Sequence, residues 1–310
     1  MNCLLIGNYG AGNLGDELLK EYFLRAFPQI QWTVLSASPS GGDLPRLPFG
    51  LRSVLTTRWW RTLTALSSCN AVVFGGGSLF TDSESVRACL LWWWHARVAR
   101  FFGKPVLLAF QGIGPFRTRG GEWCARDVLR HAAFVSTRDA ESAARVRVGD
   151  GVRVVESFDP VVLLFSQAPR SHQTDALGLI PRANSGAEFF AKAQEAMRSH
   201  PGAVRVIALQ PEEERGVCDA LVRMSAERAT VHPVRSAQEL LAALAPCSAV
   251  IAERYHGALA AIALGIPVTI VAQAAGDKLD ALGTSGRTLA QLREQALEGE
   301  RELLKKLSVL

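Results

Sequence analysis

Short, nearly continuous apolar runs alternate with longer stretches in which apolar residues recur at helical spacing, and the alternation fills almost all of the 310 residues. The short runs predict strands over 3–7, 32–36, 71–75, 106–111, 134–136 and 153–156. Between them, helical spacing predicts helices over about 13–26, 53–66, 84–102, 121–131 and 138–148. Strands apolar on both faces, joined by helices, predict βαβ units and a parallel sheet covered on both sides. After a polar, Ser- and Pro-containing stretch at 167–174, the rhythm resumes. Strands are predicted at 176–180, 204–209, 230–232, 249–252 and 268–271, with helices at about 186–199, 211–226, 236–245 and 256–264. An amphipathic helix at about 287–307 closes the chain.

The polar stretch is the natural linker. The pattern predicts an α/β protein of two doubly wound, Rossmann-like domains, 1–166 and 175–310, facing each other across a cleft in a GT-B-like arrangement. The final helix is expected to belong to the second domain. Ligands of such sheets bind beyond the carboxyl ends of the strands, so strand ends are where chemistry is sought.

Composition excludes several classes. With 48% hydrophobic and 20% charged residues the chain has ample core material and is no disordered segment. Its 34 basic against 29 acidic residues give a net charge of +5. Of the basic residues 28 are Arg and six are Lys, scattered without a basic run, so nucleic acid is not an expected partner. The six cysteines form no C-x-x-C pair and have no matching histidine spacing, which argues against zinc or a redox pair and for a reducing, cytoplasmic setting. The first residues show no signal-peptide pattern, and the most apolar stretch, 88–99, is interrupted by His95 and Arg97.

The first strand runs into Gly10-x-Gly12-Asn13-x-Gly15-Asp16. The glycines fit the dinucleotide fingerprint, but the acidic residue expected at the end of the second strand is missing. What survives is a bare backbone before a helix that offers N–H groups to an anion. Asp16 is either a helix-dipole partner or a carboxylate on the cleft floor. The third and fourth long strands end in Gly75-Gly76-Gly77-Ser78 and Gln111-Gly112-Ile113-Gly114-Pro115, read as loops that a ligand approaches. Arg138 stands where a helix begins, against the dipole; it either reaches an anion or pairs with Asp139 or Glu141. If the exit of the strand at 249–252 is extended, Arg254 and His256 point to one side and form an anion clamp with a proton donor.

Taken in order, these segments resemble the polysaccharide pyruvyl transferase family, in particular its cell-surface-polysaccharide branch. The resemblance also rests on Ser136-x-Arg138-Asp139-x-x-Ser142, Asp159-Pro160, Arg254-x-His256 and Gly265-Ile266-Pro267. Tyr255 stands where the family often has Leu, and its later lysine motif reads Gln273-Ala274-Ala275-Gly276-Asp277-Lys278 here. The resemblance implies a GT-B-like fold and transfer of a pyruvyl group from phosphoenolpyruvate, as co-substrate, onto two hydroxyls of a saccharide, with no further cofactor and no metal. It implies that Arg138, Arg254 and Lys278 bind the donor's anionic groups and that His256 transfers a proton. Asp16 is then the expected base or sugar ligand, and the acceptor is expected on the first domain beside Gly12, Asn13, Gly15, Gly76, Gly77, Ser78, Gln111 and Gly112. Trp59-Trp60 and Trp92-Trp93-Trp94 span too much helix surface to face one partner, and one of them is a candidate for a lipid-linked acceptor, the inner membrane surface or another subunit. A glycosyltransferase using a nucleotide sugar, with Glu253 on the ribose, and a non-catalytic anion-binding protein are the alternatives.

Overall fold

The structure is a computed structural model that describes residues 1–56, 58–83, 85–150, 152–165, 175–273, 279, 282–283 and 286–310. The expected linker at 167–174 and Lys278 lie outside the described residues. The chain forms two compact units, each built on a parallel sheet. One unit comprises Met1–Ala11, Leu19–Pro160 and Arg293–Leu310; the other comprises Gly12–Leu18 and Val161–Leu292.

The first unit holds strands β1 (Asn2–Ile6), β2 (Gln31–Ser36), β3 (Leu44–Pro45), β4 (Ala71–Phe80), β5 (Val106–Ile113), β6 (Phe134–Thr137) and β7 (Val155–Glu156). They form one all-parallel sheet in the order β3-β2-β1-β4-β5-β6-β7. Helices α1 (Leu14–Ala26), α2 (Leu51–Thr56), α3 (Trp60–Ser68), α4 (Val86–Phe101), α5 (Arg119–His131) and α6 (Ala140–Asp150) connect them. Leu66 of α3, Trp92 of α4, Val128 of α5 and Val146 of α6 share one buried cluster with Val72, Phe74 and Leu108 of the sheet. A second set of aromatic contacts joins Tyr22 and Phe23 of α1, and Phe27 just beyond it, to Trp32 and Phe110.

The second unit opens with the short helix α7 (Val161–Phe165) and continues with strands β8 (Ala176–Ile180), β9 (Val204–Ala208), β10 (Ala229–Pro233), β11 (Cys247–Ala252) and β12 (Val268–Ile270). Its sheet is also all parallel, in the order β10-β9-β8-β11-β12. Helices α8 (Ala187–Ser199), α9 (Pro211–Met224), α10 (Ala237–Leu244) and α11 (Tyr255–Ala263) alternate with the strands. Leu177, Leu179, Phe189, Val206, Leu221 and Ile251 make its core. In each sheet the order in which strands are added reverses once, between β1 and β4 and between β8 and β11, while all strands stay parallel. The crevice beyond the carboxyl ends at such a reversal is where doubly wound sheets take ligands.

Two departures from the predicted domains concern helices. The last helix, α12 (Leu289–Leu307), groups from Arg293 onward with the first unit, not the second. There the Tyr22 hydroxyl donates to Glu300 Oε2 at 2.7 Å, and Ser157 Oγ donates to the Gln295 carbonyl at 3.0 Å. Hydrophobic periodicity identifies an amphipathic helix but not which sheet receives its apolar stripe. Conversely, residues 12–18, the first turn of α1 and the turn before it, group with the second unit. The Leu14 N–H bonds the Leu209 carbonyl at 3.3 Å, which ties that turn to the end of β9.

Candidate functional site

In the first unit the glycine run after Phe74 is not a loop. β4 continues through Gly75, Gly76, Gly77 and Ser78 to Phe80, and β5 likewise runs through Gln111 and Gly112 to Ile113. A Cβ on Gly75 would lie 2.6 Å from Leu5 Cδ1, and one on Gly76 2.8 Å from Leu19 Cδ2. The backbone is bare there because the protein's own side chains press on it, which corrects the expectation of ligand-approach loops.

Gly112 has a different neighbour: a Cβ would come within 2.8 Å of Ser78 Oγ and 3.1 Å of Arg138 Nε. The side chain of Arg138 therefore lies across the ends of β4 and β5. Its Nη2 donates to Ser78 Oγ at 2.6 Å, and its Nη1 lies 3.3 Å from Asp159 Oδ2. Both partners of this ion pair are buried, Arg138 at 4% exposure and Asp159 at 0%. Pairing with Asp139 or Glu141 is not what fixes it, because Asp139 accepts from the Ser142 N–H at 2.6 Å and Glu141 pairs with Arg145. Beside this cluster Gln111 is fully buried; its amide donates to the Phe74 and Ala109 carbonyls at 3.0 and 3.1 Å. Among the described residues, Gln111 Oε1 and the hydroxyl of its register partner Thr137 have no hydrogen-bond partner. Buried polar atoms left in this way call for water or a ligand.

In the second unit, the exit of β11 is extended at Arg254 but no further. α11 begins at Tyr255, so Arg254 is its N-cap residue and His256 already lies in its first turn. The two side chains consequently serve different partners. Arg254 Nε donates to Glu214 Oε1 at 2.7 Å, and its Nη2 also bonds Glu214 and the Gln210 side chain. Glu214 is wholly buried in the first turn of α9, and its other oxygen accepts the Gln210 N–H at 2.9 Å. His256, 9% exposed, rests on Gly15: a Cβ there would lie 2.6 Å from the imidazole Cε1. Gly15 is glycine because the ring occupies the space a side chain would need. Asn13 holds this turn, accepting the Gly15 N–H at 3.1 Å and donating to Asp16 Oδ2 at 3.0 Å.

Of the residues singled out from sequence, the structure thus brings together Ser78, Gln111, Gly112 and Arg138 in the first unit, with Gly76 and Gly77 earlier on the same strand. It brings together Gly15, Asp16, Asn13 and His256 in the second, where Gly12 also falls. The placement of Gly12, Asn13 and Gly15 on the first domain is corrected by this grouping. Asp159, Glu214 and Gln210 were missed as partners. One signal was present for Glu214: a proline-led first turn, Pro211-Glu212-Glu213-Glu214, supplies more acids than a helix dipole needs. Glu253 is buried and accepts from Ser185 Oγ at the reversal between β8 and β11. All six cysteines are buried thiols, and burial pushes Cys3, Cys218 and Cys247 up to about 11. Among the described residues there is no group of three His, Cys, Asp or Glu able to hold a metal, and no helix long and apolar enough to cross a membrane.

Residues 13–274 match the family model described as polysaccharide pyruvyl transferase. No curated protein matches the sequence significantly. Among solved structures, HepE of Anabaena, in complex with UDP and glucose, is similar over 100% of both chains at 12% identity and a TM-score of 0.60. The UDP-GlcNAc 2-epimerase of Methanocaldococcus jannaschii is similar over 96% of this chain and 91% of its own, at 10% identity and a TM-score of 0.61. That of Neisseria meningitidis, bound to UDP-GlcNAc, covers 100% of both at 9% identity and a TM-score of 0.55. At such identities the likeness is one of fold, and it bears out the α/β, GT-B-like class with two Rossmann-like units.

Proposed function

Because this chain belongs to the polysaccharide pyruvyl transferase family, we propose that it moves the pyruvyl group of phosphoenolpyruvate onto two hydroxyls of a saccharide as a cyclic ketal. In this reaction the methylene carbon gains one proton, two C–O bonds form at the central carbon, and its bond to the phosphate oxygen breaks. The second hydroxyl proton leaves with phosphate. An acid must reach the methylene carbon and a base must take a hydroxyl proton; each transfer contributes roughly 10²–10⁴-fold.

The seat of His256 on Gly15, next to Asp16, is the observation that carries this assignment. It supports His256 as the general acid and Asp16 as base or hydroxyl ligand on the same turn. Arg138, Arg254 and Lys278 are the proposed ligands of the donor's carboxylate and phosphate, groups that a planar guanidinium fork suits. Arg254 uses Nε and Nη2 on Glu214 and Gln210, so Nη1 is the edge a small anion would take. Gln111 and Thr137, with buried oxygens to satisfy, are suited to water or sugar hydroxyls. Six buried thiols fit a reducing compartment, and we place the reaction in the cytoplasm.

The test is phosphate release from phosphoenolpyruvate in the presence of a pyruvylatable saccharide. His256→Ala should abolish release while calorimetry still detects phosphoenolpyruvate binding. Full turnover by this variant removes His256 from the mechanism. Binding of UDP- or GDP-sugars in place of phosphoenolpyruvate would overturn the donor and favour the nucleotide-sugar alternative, whose ribose ligand Glu253 is occupied here by Ser185.

A further inference from the structure

The helical face of the first unit carries exposed aromatic and basic side chains that the proposed chemistry does not use. On α4, Arg87, Leu90, Trp94, Arg97 and Phe101 recur at intervals of three and four, so they share one stripe. Phe101 is 86% exposed and Trp94 39%. On α5, Arg119, Trp123, Arg126 and Arg130 repeat the pattern, with Trp123 58% exposed. The helices are neighbours: the Trp93 and Trp123 rings lie 5.6 Å apart, and Trp93 Nε1 donates to Asp127 at 2.8 Å.

Charge decides what such a face would meet. The two helices contain six arginines and two acids. Both acids are already engaged, Glu122 by Arg126 and Asp127 by Trp93, Arg97 and Arg100. A second copy of the same face would set arginines against arginines. Leu90 and Phe101 are apolar groups that a phosphate backbone alone does not reward. A bilayer with anionic headgroups takes both kinds of residue, with aromatic and aliphatic side chains at the headgroup–acyl boundary and arginines on the phosphates. We infer that the α4–α5 face docks the protein on an anionic membrane surface. The inference does not depend on the group transferred.

Co-sedimentation of the full chain tests it, with vesicles of phosphatidylcholine alone and of phosphatidylcholine mixed with phosphatidylglycerol. The anionic vesicles should bind, and the double variant Arg87→Glu/Arg97→Glu should lose at least about 25-fold in partitioning, at roughly fivefold per arginine removed from the surface. Trp94→Ser/Phe101→Ser should lose about tenfold or more, and Phe101→Ser alone, at a side chain 86% exposed, should weaken binding with the melting temperature unchanged. Equal binding to neutral vesicles, or variants that sediment like the wild type, overturns the inference. So does retention of a nucleic acid in preference to anionic vesicles, or a dimer that Trp94→Ser/Phe101→Ser dissociates.

Discussion

Arg138 in the first unit and Arg254 in the second both sit at the carboxyl end of a parallel sheet, and both are paired with a fully buried carboxylate. They are held differently. Arg254 meets Glu214 through two nitrogens, and Glu214 is itself fixed by the Gln210 N–H at the start of a helix, where a negative charge is favoured. Arg138 lies farther from its carboxylate, with Nη1 3.3 Å from Asp159 Oδ2, and donates its shorter bond to the neutral hydroxyl of Ser78. The second pair is a closed network whose members depend on one another. The first is a cation laid over a glycine floor, positioned as much by shape as by charge.

Removing the carboxylates separates these descriptions. Glu214→Ala leaves a largely buried guanidinium without its countercharge and should cost about 3–5 kcal/mol, since breaking a buried pair costs more than the pair contributes. All seven tryptophans lie in the first unit. Tryptophan fluorescence therefore follows that unit alone, while far-ultraviolet circular dichroism follows both. For Glu214→Ala the dichroism transition should move to lower denaturant and the fluorescence transition should stay. If both move together, the units unfold as one and the comparison is of one cooperative structure.

The next largest effect is kinetic. Gly15→Ala drives a methyl group into the His256 ring, which must shift. A displacement of about 1 Å at the proposed proton-transfer group costs about 10²-fold in kcat, and overpacking at this nearly buried contact adds a stability loss of about 1–3 kcal/mol. Phosphate-release assays should show the loss in kcat and leave KM for phosphoenolpyruvate nearly unchanged. Unchanged kcat would mean that the Gly15 contact does not position His256.

A smaller effect is expected for Asp159→Asn. The amide keeps the shape and a hydrogen-bond acceptor but loses the charge, so the cost should be about 1–2 kcal/mol. It should be seen in the fluorescence transition, because Asp159 belongs to the first unit. A loss as large as that of Glu214→Ala would make the two arginines equivalent and erase the difference drawn between them.

The elements that carry these sites are readable from the chain, and their partnerships are not. Alternating short apolar runs and helical spacing place β8 and α8 within a residue of their bounds, because local burial fixes local pattern. The pattern fails at Gly75 to Ser78, where glycine signals a turn but tertiary contact with Leu5 and Leu19 keeps the strand going. It also leaves Glu214 indistinguishable from Glu212 and Glu213, although only Glu214 is buried. Arg254 and Glu214 are 40 residues apart, and nothing in local spacing connects them. The Gly15–His256 contact is more distant still. Motif resemblance singled out both of its members, but only the folded chain says that one makes room for the other.

The smallest expected effect uses pH to tell the units apart. His95 in the first unit is fully buried, and burial lowers its pKa from 6.5 to about 4, with Arg46 adding to the shift. Its Nε2 accepts the Leu47 N–H at 2.9 Å, so its Nδ1 carries the proton that bonds the Leu91 carbonyl at 2.7 Å. Protonation would destroy the first of these bonds. The unfolded chain binds the proton more tightly, so the stabilisation is complete above pH 6.5 and is lost progressively as pH falls from there to about 4. Between pH 7 and 5.5 the first unit should lose roughly 1 kcal/mol. His232 in the second unit is also lowered, by burial and by Arg205, but it is only partly buried and should contribute less. Fluorescence-detected unfolding should therefore shift over this range more than the part of the dichroism signal that fluorescence does not follow. His95→Gln, which removes the titrating group, should flatten the fluorescence shift. An undiminished slope in that variant would assign the acid sensitivity to another group and leave His95 only its two backbone bonds.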